Sequence, residues 1–315
     1  MSRKSSTLKS LKSGRPPSAQ QPRTLAARHT RRIIRAHHTL NKQLTAAQNA
    51  GDHEKVKSIE SALNAQGGLA AYQEASIQGQ TLTRGGDSSI ELVRWLSASR
   101  REETHIGGSN NTEGLSLLEV GALTTHNACS RSTNFNRVVR IDLNSQSPGI
   151  SQQDFMKRPL PSNDQERFDV LSLSLVLNYV PDSVQRGEML RRTTAFLLRR
   201  QTLSARAGRS GDATEVAGTS DQATGKVPCL FLVLPLPCIV NSRYMTETHL
   251  IEMMSALGYV LLHTKQSAKL YYSLWRLEGG AKVQSRKTFR KVKLNDGVGR
   301  NNFCVELHGA GEGIS

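Results

Sequence analysis

Two acids and a glycine stand at a spacing that suits a ribose-bearing ligand. In LSLLEVGAL (residues 115–123) an apolar run closes on Glu119, Val120 and Gly121. In RVVRIDL (137–143) a second run closes on Ile141 and Asp142. A glycine at a strand end lets backbone approach a ligand closely. Asp142 follows Gly121 by 21 positions, and an acid about that far along a nucleotide-binding βαβ unit accepts hydrogen bonds from ribose hydroxyls. Alone, each residue describes a turn glycine or a surface acid. Their order and spacing together point to ligand binding.

The glycine pattern narrows the ligand. A dinucleotide needs GxGxxG, because its pyrophosphate lies against glycine backbone at a helix N-terminus. Here Gly121 is followed by Ala122, Leu123, Thr124, Thr125 and His126, with no second glycine, and no GxxxxGK(S/T) phosphate loop occurs. An NAD-dependent oxidoreductase is therefore disfavoured and a P-loop excluded. A single glycine preceded by Glu119 suits a cofactor without phosphates, of which S-adenosylmethionine (SAM) is one. Its amino-acid end needs polar contacts near the first strand, where Glu119 lies, and its ribose needs Asp142. Asp154 and Phe155 are candidates for the adenine end, the acid accepting from the exocyclic amine and the ring packing on the base. A loop acid beside a core Phe describes that pair equally well. His126 stands beside the same loop, where a lone His is more often solvated.

Elements must hold these residues. Leu115 to Val120, Val138 to Ile141, Phe168 to Leu177 and Cys229 to Leu236 are apolar runs of the kind buried on both faces of a parallel sheet. A helical stretch over 183–201 lies between the third and fourth. Alternating strands and helices predict an α/β sandwich with its ligand at the C-terminal strand ends. Residues 244–258 read as a further helix, and Val260 to His263 and Leu270 to Leu277 as closing strands. Residues 25–66 read as two helices divided near Gly51-Asp52, the second ended by Gly67-Gly68. Another starts at Asp87 or Ser88, where Ser88 to Glu91 fits a capping box. Only residues 121–137 separate the first two strands, so the first helix between them should be short or irregular.

The formal charge is +16, from 42 Lys+Arg against 26 Asp+Glu. Such an excess attracts polyanions, commonly nucleic acid. Residues 1–35 hold ten Lys or Arg and no acid, a composition that predicts disorder at the start and suits nuclear or nucleolar delivery. Arg28, Arg31, Arg32 and Arg35 make a basic helical face. The four cysteines, Cys129, Cys229, Cys238 and Cys304, form no CxxC pair. Neither a zinc ribbon nor a redox dithiol is indicated, and no metal site is expected. They read as buried thiols in a reducing compartment. Val227 to Val240 carries Pro228, Pro235 and Pro237 and is too short and broken to span a bilayer. The N-terminus lacks the apolar core of a signal peptide.

The strings LLEVGAL, YQEASIQGQ, RVVRIDLNS, QQDFMKRPLP, SLSLVLNYVPD and SRYMTETHLIEMMSALGY together resemble the fungal adenine-N(1) methyltransferases of 25S ribosomal RNA. The resemblance runs from about residue 25 to residue 278. It implies a Rossmann-like class I SAM-dependent methyltransferase fold and a nucleolar location. Its substrate would be large-subunit ribosomal RNA in pre-ribosomal particles. It matches Gly121 and Asp142 to the family's SAM-binding glycine and aspartate. The expected organisation is a disordered basic arm over 1–24, a helical N-terminal region over 25–104, a methyltransferase domain over 105–278 with a flexible insertion at 202–226, and a basic, mostly disordered tail over 279–315. A monomer without membrane attachment is expected.

Methyl transfer to adenine N1 needs alignment more than acid or base catalysis, because N1 is unprotonated at neutral pH and the leaving group already carries charge. No catalytic residue is assigned. Asn178 and Tyr179, after the third strand, are candidates for the target-base pocket, Tyr179 by stacking and Asn178 by an edge hydrogen bond. A packed Tyr and a turn Asn are the plainer reading. Arg191, Arg192, Arg199 and Arg200 on one helix, and KVQSRKTFRKVK (282–293) with Phe289 among its charges, are candidate RNA contacts. Solvated surface is the plainer reading for both. A SAM sensor on the same fold, without catalysis, is the rival to the enzyme. The atom methylated rests wholly on the resemblance.

Overall fold

The apolar runs form the centre of a seven-stranded sheet in the computed structural model of the chain. It describes residues 27–79, 86–105, 114–145, 147–198, 225–278 and 287–309. The arm expected over 1–24, most of the insertion expected over 202–226, and Arg199 and Arg200 lie outside the described residues. The strands are β1 (Leu115–Val120), β2 (Phe135–Asp142), β3 (Ser151–Gln152), β4 (Val170–Ser174), β5 (Cys229–Pro235), β6 (Tyr259–Gln266) and β7 (Leu270–Leu277). Their order is β3-β2-β1-β4-β5-β7-β6. Pairing from β3 to β5 is parallel, and β7 runs antiparallel between β5 and β6. This is the Rossmann-like sandwich that the resemblance implies.

Alternation along β5 explains why its run is apolar throughout. Leu230, Leu232 and Leu234 enter one core with α6 (Ser183–Phe196) and α7 (Glu247–Ala256). Cys229, Phe231 and Val233 enter the other core, with Leu92, Trp95 and Leu96 of α4 (Ser89–His105). Both faces are dry, so both sets of side chains must be apolar. Thus α4, read from sequence as part of the N-terminal helical region, packs on the sheet. Between β1 and β2 the helix α5 (Ala128–Arg131) is one turn of four residues, capped by Asn127 and ended by Ser132.

The remaining N-terminal helices are α1 (Ala27–Asn49), α2 (His53–Ala65) and α3 (Gly68–Gly79). Asp52 caps α2, its carboxylate accepting the Lys55 N–H at 3.1 Å. The segment YQEASIQG thus lies in α3, which the polar composition concealed. No helix among the described residues is long and apolar enough to cross a membrane.

Three expectations need correction. Ser88 and Glu91 do not form a capping box. Asp87 caps α4 by accepting from the Ser89 N–H and hydroxyl at 2.9 and 2.6 Å, while the Ser88 hydroxyl reaches Ser174 at 2.7 Å. Glu91 instead pairs with Lys265 at 2.6 Å and with Arg94. Second, the helix expected to reach residue 201 stops at Phe196. Arg191 and Arg192 do not offer a free patch. Arg192 donates to the Phe155 carbonyl at 2.8 Å and to that of Arg158, and Arg191 donates to the His308 carbonyl and pairs with Glu188 at 3.4 Å. Third, much of the expected disordered tail is built into the fold. Phe289, Phe303, Val305 and Leu307 are buried in the main core, and Phe289 and Leu307 exchange backbone hydrogen bonds of 2.7 and 2.9 Å. Phe289 is therefore a core residue and is not available to stack on a base.

Gly187 shows how tightly this C-terminal segment is fitted. It sits within α6, and a Cβ there would meet the Glu306 carbonyl oxygen at 1.7 Å. Only glycine lets the chain cross the helix so closely.

Candidate cofactor and substrate site

The C-terminal ends of β1, β2 and β4 open into a cavity of about 510 Å³, within the range usual for small-molecule sites. Gly121 and Val120 come from β1 and its turn. Asp142 and Asn144 follow β2, Asp154 and Phe155 follow β3, and Ser174 to Val176, Tyr179 and Pro181 follow β4. This is where an open parallel sheet places its ligand. Ile34 of α1, Tyr72 of α3 and Lys269 of the β6–β7 turn complete the wall.

Gly121 has φ +76°, and a Cβ there would meet Val176 Cγ2 at 2.4 Å. Both conformation and space demand glycine, since L-residues avoid that region. Its N–H is held by the Ile141 carbonyl at 2.8 Å, which ties the turn to β2. Asp142 accepts the Asn144 N–H at 2.8 Å through Oδ1. Burial pushes its carboxyl above the ordinary value, and the Asn144 N–H opposes that shift. Asp154 accepts the Met156 N–H at 2.8 Å. Phe155 borders the cavity but is only 3% exposed, its ring 5.2 Å from that of Phe196. It is therefore chiefly a core residue at the edge of the cavity.

On the β4 side, Leu175 takes φ +59°, uncommon for a residue with a side chain. The chain then enters a 3-10 turn, Leu177–Tyr179. Tyr179 faces the cavity and meets Tyr72 edge-on at 6.0 Å, while Tyr72 stacks on His37 at 4.5 Å. Burial raises the Tyr179 hydroxyl, opposed by the Tyr72 and Asn178 side chains.

Gly121, Asp142, Asp154, Phe155 and Tyr179 therefore share one cavity, and Glu119, Asn178 and His126 are not among its lining residues. Glu119 accepts from Asn127 Nδ2 at 2.6 Å and faces Arg140 at 3.5 Å. Burial raises its carboxyl, against the Asn127 hydrogen bond and Arg140. Its role here is to hold the β1–α5 loop. Asn178 Oδ1 is buried and has no hydrogen-bond partner among the described residues. His126 is exposed. Ser174 ends β4, where a ligand was expected, whereas Ile34, Tyr72, Ser88 and Lys269 carried no signal of the site, because each reaches the cavity only through long-range packing.

Residues 57–305 match the family model described as 25S rRNA (adenine(2142)-N(1))-methyltransferase, Bmt2. The chain belongs to the Bmt2 family. It is 37% identical over 245 residues to the 25S rRNA (adenine(2142)-N(1))-methyltransferase of Saccharomyces cerevisiae, covering 78% of this chain and 61% of that protein. It is 35% identical over 275 residues to the 25S rRNA adenine-N(1) methyltransferase of Schizosaccharomyces pombe, covering 87% of this chain and 90% of that one. Among solved structures, the Burkholderia thailandensis 1,6-didemethyltoxoflavin-N1-methyltransferase is 14% identical with a TM-score of 0.36, covering 58% of this chain and 77% of that chain. The family match includes Tyr72, which lines the cavity, and the C-terminal segment through Val305.

The lining residues fit SAM. A glycine turn that no Cβ could occupy, a ribose-competent acid in Asp142 and a second acid in Asp154 lie along one cavity of suitable volume. The single glycine leaves no cradle for a pyrophosphate.

Proposed function

We propose that this Bmt2-family chain is a SAM-dependent methyltransferase that acts on N1 of an adenine in large-subunit ribosomal RNA. We place that work in pre-ribosomal particles in the nucleolus, with the chain acting as a monomer. One observation supports the reading above the others: Gly121 and Asp142 share a cavity with the aromatic corner of Tyr72 and Tyr179. A cofactor and a planar base would then meet in one enclosure. The names carried by the two yeast relatives support the substrate and the atom.

Each residue has a part in this reading. Asp142 accepts the ribose hydroxyls, Gly121 lets the β1 turn lie against the cofactor, and Asp154 accepts from its adenine amine. Held by Gly121, Asp142 and Asp154, SAM would supply an electrophilic methyl group for the N1 lone pair, its sulfur leaving as a neutral thioether and the charge passing to the base. Tyr179 and Tyr72 hold the flipped adenine, which must leave its stack to reach the cavity. The enclosing wall excludes water and fixes approach, the main requirement when the nucleophile is already unprotonated.

The test is transfer of label from isotopic SAM to large-subunit ribosomal RNA from cells lacking this gene, followed by digestion to nucleosides. Label in N1-methyladenosine, lost in Asp142→Ala, is the expected result. Tight SAM binding with no label in any nucleoside would replace the enzyme with a SAM sensor.

A further inference from the structure

A second cavity, of about 350 Å³, adjoins the first and differs from it in chemistry. Three cations border it: Lys42 of α1, Arg186 of α6 and Lys291 of the C-terminal segment. Pro181 lines both cavities. The segment Tyr179-Val180-Pro181-Asp182 therefore passes from one to the other.

None of the three cations forms a direct ion pair with an acid among the described residues. Arg186 is 3% exposed. Its guanidinium donates to the Val180, Cys304 and Pro181 carbonyls at 2.8, 2.5 and 3.2 Å and lies 4.9 Å from the centre of the Phe303 ring. Carbonyls and a ring satisfy its donors, and Asp182 offsets its charge without a direct ion pair. Lys291 Nζ stands 4.8 Å from the centre of the Tyr244 ring. Lys42 has its ammonium pushed below the ordinary value, by burial and then by Arg186. Two cations crowded together in this way favour an anion between them. By contrast, Lys265, Lys287 and Lys293 each pair with an acid.

Two carboxylates lie near. Asp182 borders the cavity, but its Oδ1 already takes the Val184 and Gln185 N–H groups at 3.0 and 2.9 Å. Glu306 is not among the lining residues and is engaged by the Ser183 hydroxyl and the Lys291 N–H. Because Asp182 caps its own helix, the end of α6 is not the anion site. The lysines and Arg186 are. On α1, Arg32 and Arg35 are exposed, and their spacing to Lys42 places all three along one helical stripe.

We infer that this cavity holds a backbone phosphodiester of the RNA beside the nucleotide presented to the first cavity, with Lys42 and Lys291 as its contacts and Arg186 as a fixed charge behind them. The inference rests on the proposed RNA substrate. Ile34 of α1 lines the first cavity and Lys42 the second. The eight-residue step from Ile34 to Lys42 spans roughly 12 Å of helix. A base flipped into the first cavity thus brings its flanking backbone to the second.

The experiment compares the full chain with Lys42→Gln, Lys291→Gln and the double variant, leaving buried Arg186 intact. Binding of a fluorescent single-stranded RNA with the sequence around the target adenine is followed across salt concentrations, and SAM binding is measured in parallel. Expected is about a three- to tenfold loss of RNA affinity in the double variant, and a log K against log salt slope shallower by about 0.7 per lysine. SAM binding stays unchanged, and the KM for RNA rises while kcat holds. Inorganic phosphate as competitor separates the sources: weak displacement at millimolar phosphate supports a site for polymer backbone. Displacement at micromolar phosphate would identify a free-anion site and overturn the inference. RNA affinity and slope unchanged in the double variant would overturn it too, and with the wild type still methylating RNA, only this inference would fall. A wild type that transfers no methyl group would remove the functional reading itself.

Discussion

At Gly121 conformation and space make the same demand and can be separated. Alanine there meets Val176 Cγ2 at 2.4 Å and must hold φ +76°. The contact costs about 1–3 kcal/mol and the backbone about 1–2 kcal/mol. Gly121→Ala should therefore destabilise the fold by about 2–5 kcal/mol in urea unfolding and abolish SAM binding. Adding Val176→Ala removes the contact and leaves the backbone cost, so roughly half the stability should return. Full recovery would mean that φ at this turn is free to change. Asp142 offers a pH signature. In the ligand-free chain its raised carboxyl pKa contributes stability that is present below the ordinary carboxylate value and lost as pH rises through the raised one. Ribose hydroxyls act in the opposite sense, because they donate to the charged form. SAM affinity should hold at neutral pH and fall as pH drops through a value above the ordinary carboxylate one, and Asp142→Asn should flatten that profile. Titration calorimetry from neutral to mildly acidic pH reads it, and a midpoint at or below the ordinary carboxylate value would contradict the burial of Asp142.

At the scale of elements, α6 and the C-terminal segment set two effects against each other. Alanine exceeds glycine in helix propensity by about 1 kcal/mol, so Gly187→Ala should stabilise an isolated α6. In the fold the new Cβ would lie 1.7 Å from the Glu306 carbonyl oxygen. Backbone cannot yield cheaply, and the segment carrying Phe303, Val305 and Leu307 must shift out of the core. Each of those side chains contributes about 1.5–3 kcal/mol when fully buried. Steric displacement therefore outweighs propensity, and Gly187→Ala should lose at least about 2 kcal/mol in chemical denaturation. A gain in stability would show that the segment is only loosely applied. The same pair of elements marks where sequence reading stops. Apolar runs such as Leu115 to Val120 announced the sheet because two dry faces demand uninterrupted hydrophobes. Gly121 and Asp142 were legible because a strand end followed by a fixed spacing is a local signal. The tail was not: Phe289 stands alone among charges, and the alternation of Phe303, Val305 and Leu307 covers only five residues, too few to announce a buried segment. Arg192 reads as surface charge until the carbonyls of Phe155 and Arg158 are seen beside it. Tyr72 is one polar helix residue among many until α3 is laid over the β4 turn.

For the molecule as a whole, the cavity joins parts of the chain that have separate interiors. Its walls come from α1 and α3 through Ile34 and Tyr72, from the strand ends through Gly121 and Asp142, and from the β6–β7 turn through Lys269. A ligand that touches all three ties the helical layer to the sheet, and its binding energy is shared by both. At one hundred times its dissociation constant, SAM adds about 2.7 kcal/mol, and in a fold of this size about 2–4 °C follows from each kcal/mol. Saturating SAM should thus raise Tm by about 5–10 °C, and Asp142→Ala should show no rise while unfolding near the Tm of the ligand-free wild type. Hydrogen exchange then assigns the gain. If Tyr72 and Ile34 close on the ligand, amides of α1 and α3 slow together with those of the β1 and β2 ends. Protection confined to the strand ends would mean that the helical layer stands apart from the cofactor, and that its share of the site, the aromatic corner and the Lys42 stripe included, is engaged only when RNA arrives.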